Sequence, residues 1–219
     1  MYRLTIAQHA YSSWSMRAWL LLRPFELAVE TRLVRLYTPE FATFQAEAAP
    51  GRTVPLLTWE EAGRTHRVWD SLAIAETLAE RHPGLGIWPE DPTHRRIARI
   101  VAAEMHAGFG AIRTHCPMNF HRVPRKPRTG EAEARADAER ATALWAWALA
   151  DTGGPWLGGP QFSAADAFMA PLASRLVSYD MVPDGAGPYA ERVLSHPASA
   201  EWIAEAHADP ERIAHYDEA

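Results

Sequence analysis

The sequence predicts a small α/β domain followed by an all-helical domain. Two observations carry this reading. Strand-like and helix-like segments alternate as far as residue 81, and beyond a break at residues 82–92 only helical patterns follow. That break holds three prolines and two glycines and reads as a linker. The domains are therefore expected at 1–81 and 93–219.

Residues 4–7 are short and apolar and read as a strand, broken at 9–13. Residues 14–22 have helical composition and stop before Pro24. Residues 29–36 alternate, with Val29, Thr31 and Leu33 against Glu30 and Arg32, and read as a second strand. An irregular stretch follows. Residues 55–59 and 66–69 then form a hairpin around a turn at 60–65, and 71–81 place Leu72, Ala75, Leu78 and Ala79 at helical spacing. The order, β-α-β then β-β-α, is that of the thioredoxin-like fold. After the linker, Asp91-Pro92 supplies an N-cap and a first helical residue. The helix behind it carries a core stripe at Ile97, Val101, Met105, Gly108 and Ile112, and further helices are expected at 131–150, 163–176 and 198–208.

Composition narrows the class. A hydrophobic fraction of 47% and a charged fraction of 22% are those of an ordinary globular protein. A net charge of −5 gives no general attraction to nucleic acid, and no apolar run is long enough to span a membrane. The N-terminus reads as neither a signal nor a transit peptide, and the single cysteine, Cys116, rules out an intrachain disulfide. A cytoplasmic protein acting on small molecules is expected. Ten histidines occur without an HxxxH, HxH or CxxC pairing, so no metal site is expected. The basic stretch at 122–128 contains two prolines and reads as a solvated loop.

Three local features in the first domain bear on chemistry. Tyr11-Ser12-Ser13-Trp14-Ser15-Met16-Arg17 lies between a strand and a helix, where free amides and the helix dipole favour an anion. Gly51-Arg52-Thr53-Val54-Pro55-Leu56-Leu57 puts an X-Pro bond at a strand start; a cis bond there would turn the Val54 backbone outward toward an extended ligand. Asp70-Ser71 opens a helix and can hold a ligand carboxylate against its free N–H groups. Each taken alone also fits a bland reading: an N-cap, a trans strand start, a second cap. Their joint order favours a ligand site.

Together YSSWSMRAW, APGRTVPLL and WDSLAIAETL resemble the glutathione site of glutathione transferases. The SSxSxR pattern is most similar to the zeta class, which includes maleylacetoacetate isomerases. The resemblance implies a thioredoxin-like domain joined to an all-α domain, glutathione as co-substrate, and a homodimer. It implies that Ser12 bonds the glutathione sulfur, with Ser13 second and Tyr11 third in line for that role. Arg52 would meet the glycyl end, Val54 would pair through its backbone with the cysteinyl unit, and Asp70 and Ser71 would hold the γ-glutamyl end, with Thr53 and Pro55 in the same glutathione-binding set. The zeta pattern has a cysteine where this chain has Trp14, so chemistry needing a protein thiol in that loop is absent. The same departure argues against omega and glutaredoxin-like members.

Phe162-Ser163-Ala164-Ala165-Asp166 reads as a capping-box variant and resembles a capping motif in the helical domain of these transferases, so Asp166 is assigned to folding. On the acceptor side, His106, Phe109 and Arg113 are expected on one helix face, which would suit an aromatic or anionic acceptor or else be a solvated or dimer-facing surface, and Tyr11 joins them as an acceptor-side residue. Cys116-Pro117-Met118 would line the same cavity or cap the helix. The implied activity is transfer of the glutathione thiolate to a small electrophile. A glutathione-dependent cis–trans isomerase and a non-catalytic glutathione-binding module are the alternatives.

Overall fold

The computed structural model describes residues 1–121, 125–127 and 129–217; most of the basic stretch at 122–128 lies outside them. Its first third is a four-stranded sheet in the order β2-β1-β3-β4, from β1 (Tyr2–Ile6), β2 (Val29–Leu33), β3 (Leu56–Glu61) and β4 (Arg64–Trp69). β1 and β2 are parallel; β3 runs antiparallel to both β1 and β4. The parallel pair needs a crossover, which α1 (Ser13–Trp19) supplies. Side-chain alternation separates the two faces. Leu4, Ile6 and Leu57 enter the main core together with Met16 of α1 and Ile74 and Leu78 of α3 (Ser71–Arg81). Leu56, one residue over, joins Val34, Phe44 and Ala48 in a small second core.

That second core corrects the sequence reading. The stretch expected to be irregular contains α2 (Pro39–Ala48), started by Thr38, whose hydroxyl accepts the Phe41 N–H at 3.3 Å, and by Pro39 at the first helical position. Its buried face is only Phe44 and Ala48, too narrow for a periodicity argument.

The rest of the chain is helical: α4 (Pro92–Ala107), α5 (Gly110–His115), α6 (Glu131–Thr152), α7 (Ala164–Ser178), α8 (Gly187–Ser195), α9 (Pro197–Ala208) and the short α10 (Ala214–Asp217). No helix among the described residues is long and apolar enough to cross a membrane. Asp91 caps α4 by accepting the Thr93 and His94 N–H groups, each at 2.9 Å. The stripe read as one helix through Ile112 is interrupted. Phe109 takes a positive φ of 55°, so the chain breaks after α4 and restarts as α5, although Ile97, Val101, Met105 and Ile112 are all buried as expected.

α7 is the central helix, buried along nearly its whole length and packed against α4, α8 and α1. The capping box at its start is present. The buried Asp166 carboxylate accepts from the Ser163 N–H at 2.9 Å and hydroxyl at 3.1 Å, the Leu157 N–H at 3.0 Å and the Tyr189 hydroxyl at 3.0 Å. Residues 82–92 are no solvated tether. Ile87 and Trp88 are buried, and the Ile87 carbonyl accepts from the Ala164 N–H at 2.8 Å. At the far end, Trp202 on α9 donates its indole N–H to the His9 carbonyl at 2.9 Å, and the two rings lie 4.3 Å apart. One continuous core runs from β1 to α9.

Candidate functional site

A cavity of about 680 Å³ opens between the sheet-bearing third of the chain and the helices. The loop between β1 and α1 brings Tyr11, Ser12, Ser13 and Trp14 to it, and the loop before β3 brings Arg52, Thr53 and Val54. From the helical side come Arg113, Arg175 and Tyr216. Pro55, Asp70, Ser71, His106 and Phe109 do not line it.

The two serines differ in what holds them. Ser12 is the N-cap of α1. Its Oγ accepts the Ser15 N–H at 3.3 Å and donates to Ser15 Oγ at 2.7 Å, which in turn accepts the Ala7 N–H at 3.0 Å. Ser13, the first residue of α1, accepts a hydrogen bond from Arg175 Nη2 at 3.1 Å. Tyr11 is engaged too. Its hydroxyl donates to Asp217 Oδ1 at 3.2 Å and accepts the Ile213 N–H at 3.1 Å, and burial raises its pKa. A phenol held this way is a poor candidate for activating a thiol.

On the opposite wall the Val54-Pro55 bond is cis, as expected from the sequence. The Val54 N–H and C=O make no backbone hydrogen bond among the described residues. Arg52 is exposed at the rim, with its carbonyl accepting from Gln45 Nε2 at 2.9 Å. Beside the cavity, Asp70 caps α3 through Oδ1, which accepts the Leu72 N–H at 2.8 Å, while Oδ2 lies 3.4 Å from His106 Nε2. The next hydroxyl, Ser71 Oγ, is fully buried and has no hydrogen-bond partner among the described residues.

The expected acceptor face does not form as one helix surface. Because the chain breaks at Phe109, that side chain is buried in the core, His106 turns to Asp70 and Trp14, and only Arg113 reaches the cavity. Cys116 is buried with its thiol pushed up to about 11 by burial, while Pro117 and Met118 line the cavity. Sequence reasoning missed Arg175 and Tyr216. No local signal marks either one, since each meets the serine loop from the far end of the chain.

The electrostatics are cationic. Arg17 is fully buried, its three guanidinium nitrogens without a hydrogen-bond partner among the described residues, and lies 4.3 Å from the Trp14 ring and 5.5 Å from that of Phe168. Burial pushes it down to about 9, with Arg175 and Arg113 adding to the effect. Arg175, likewise buried, is pushed down to about 10. Arg113 lies 4.8 Å from the same Trp14 ring. Among the described residues no acidic side chain lines the cavity.

Residues 11–81 match the family model for the glutathione S-transferase N-terminal domain. That segment is similar to the family's N-terminal domain. Beyond it, the chain is similar over about 95% of its length to solved glutathione transferase homologs and maleylacetoacetate isomerases. One from Burkholderia GL BGR1, with bound glutathione, is 25% identical with a TM-score of 0.69, covering 95% of this chain and 99% of its own. A maleylacetoacetate isomerase from Anaeromyxobacter dehalogenans 2CP-1, with bound dicarboxyethyl glutathione and citrate, is 26% identical with a TM-score of 0.67, covering 96% and 93%. FzlA from C. crescentus, 18% identical with a TM-score of 0.72 over 99% and 98%, shares the fold. No curated protein sequence matches significantly. The sheet and helices described above are thus the glutathione transferase fold.

Proposed function

We propose that the protein is a glutathione transferase, binding glutathione along the serine loop and joining its sulfur to a small electrophile in the cavity. The observation that carries this reading is the pair of adjacent serine hydroxyls at the N-terminus of α1, facing a cavity shared with the helices. A free thiol ionises near ~8.5, so a hydroxyl bond and a helix N-terminus that favour the thiolate raise the reactive fraction at neutral pH. Arg52, Thr53, Val54 and Pro55 would hold the glycyl and cysteinyl parts, and the open backbone of Val54 supports that placement. Asp70 and Ser71 would hold the γ-glutamyl end; the orphaned buried hydroxyl of Ser71 is the group a ligand carboxylate would satisfy. Arg113 and Tyr11 would meet the acceptor, with His106 acting through Asp70.

The thiol proton leaves to solvent and the thiolate forms a C–S bond to an electrophilic carbon, giving a thioether. Either a leaving group departs with its bonding electron pair, or the π electrons of an activated double bond move to the neighbouring carbon, which takes a proton from solvent. A second reading, a glutathione-dependent cis–trans isomerase, is favoured by one observation: Arg52, Arg113 and Arg175 line the cavity with no acid beside them among the described residues, which suits a carboxylate-bearing acceptor. There the thiolate adds to a double bond and leaves after rotation. Trp14, standing where the zeta pattern has cysteine, requires either route to run without a protein thiol. A homodimer in the cytoplasm belongs to the same reading, and light scattering at the monomer mass would remove the dimer.

The test is purified protein with glutathione and a panel of electrophiles, including unsaturated dicarboxylates, monitored for thioether and for geometric isomerisation. Binding without turnover of any electrophile would leave a glutathione-binding module. No binding would end the proposal.

A further inference from the structure

The hydrogen-bond directions around the two serines are not interchangeable. A guanidinium has donors only, so in the contact with Arg175 the Ser13 oxygen is the acceptor and its own proton stays free. Among the described residues nothing takes that proton, and Ser13 lines the cavity. Ser12 is the reverse case, with its proton directed to Ser15 Oγ and its lone pair taking the Ser15 N–H.

Arg175 is itself held rigidly. Nε donates to the Cys116 carbonyl at 2.9 Å and Nη1 to the Pro171 carbonyl at 3.0 Å, leaving Nη2 for Ser13. None of these partners is a carboxylate, so a buried cation stands directly behind one serine oxygen. A hydroxyl whose oxygen accepts from a cation is a stronger donor, because the two hydrogen bonds polarise one another.

We propose that Ser13, polarised across the domain junction by Arg175, is the hydroxyl that bonds the glutathione sulfur, and that Ser12 serves the start of α1. The assignment rests on the glutathione transferase reading. It makes Arg175 a positioning residue, 162 positions away in the chain, through which the helical domain sets the reactivity of a thiol held by the first.

The experiment measures the pKa of glutathione bound to the full-length protein, by thiolate absorbance in the ultraviolet, with glutathione affinity measured in parallel. Ser13→Ala is expected to raise the bound thiol pKa by roughly 1–2 units, the equivalent of one hydrogen bond to an anion, with affinity nearly unchanged. Ser13→Thr, which keeps the hydroxyl, restores it. Ser12→Ala lowers the melting temperature but moves the thiol pKa less than half as far. Arg175→Met raises the pKa when Ser13 is present and adds nothing in the Ser13→Ala background, while Arg175→Lys recovers part of the loss. Should Arg175→Met fail to fold, the serine series decides alone. A larger shift from Ser12→Ala overturns the assignment. So does an Arg175→Met protein that loses acceptor affinity with the thiol pKa intact. Wild-type protein that binds no glutathione would overturn the underlying reading as well.

Discussion

The ring of Tyr11 lies 5.3 Å from that of Tyr216 and nearly parallel to it, so the loop after β1 and the last helical turn share one wall of the cavity. Aromatic pairs of this kind are worth about 0.5–1.5 kcal/mol beyond their burial. Tyr216→Ala is therefore expected to raise the KM for the acceptor roughly 2- to 10-fold and to admit bulkier acceptors, with the KM for glutathione held. A change confined to glutathione would move this wall to the donor side.

Asp70 has two roles that substitution can separate. Asn at this position keeps the cap on α3 and tolerates the positive φ of 73°, but removes the charge. Asp70→Asn should weaken glutathione binding about 10-fold with little change in melting temperature, since a charge-assisted bond to the γ-glutamyl amine is lost. Asp70→Ala should show the same binding loss and a further ~1 kcal/mol of instability. Titration calorimetry alongside thermal melts reads both. Wild-type affinity in the Asn variant would show that the amine sits elsewhere.

Much of this architecture is legible because its signals are local. The serine loop, the Val54-Pro55 bond, the Asp91 cap and the Ser163–Asp166 box are each written within a few consecutive residues, and all four stand as expected in the structure. Misreadings came where a local pattern outlived the element. Apolar spacing continues through Gly108 and Phe109 although the backbone does not, so His106, Phe109 and Arg113 read as one face. The start signal of α2, Thr38-Pro39-Glu40, was there to be read but lacked a broad apolar stripe behind it. Arg175 and Tyr216 had no such signal, because their roles exist only once the helical half folds against the serine loop.

Asp166 gives a pH dependence with a definite sign. Burial pushes its carboxyl from a usual value near 3.8 up to about 6, against the pull of four hydrogen bonds. A folded value above the unfolded one means the folded state holds the proton more tightly. This group's contribution is then full below pH ~4 and is lost as pH rises through ~6, by about 3 kcal/mol. Subtracting the stability of Asp166→Asn from that of wild type isolates it from the other carboxylates. The difference should widen on acidification from pH 7 to pH 4 in urea melts. A narrowing would mean that the hydrogen bonds keep the carboxylate ionised.

Arg17 is a buried cation with no hydrogen-bond partner among the described residues, an arrangement that destabilises a fold. Arg17→Met, similar in length and uncharged, should stabilise the ligand-free protein by about 1–4 kcal/mol. The same variant should gain less stability from added glutathione than wild type does, because the cation's attraction for a bound anion is gone. Thermal melts with and without glutathione test both halves; a less stable ligand-free variant would contradict the first.

The bond from the Trp202 indole to the His9 carbonyl has a consequence for modularity. The last long helix closes over the loop that follows the first strand, and the core beneath is continuous from one end of the chain to the other. Severing the chain at residues 82–92 would not release two finished units. It would expose the apolar faces of α1 and α7, which each half contributes to the other. A chimera pairing this sheet with a foreign helical half would have to rebuild that shared surface before it could fold, so the two halves should be inherited, and lost, together.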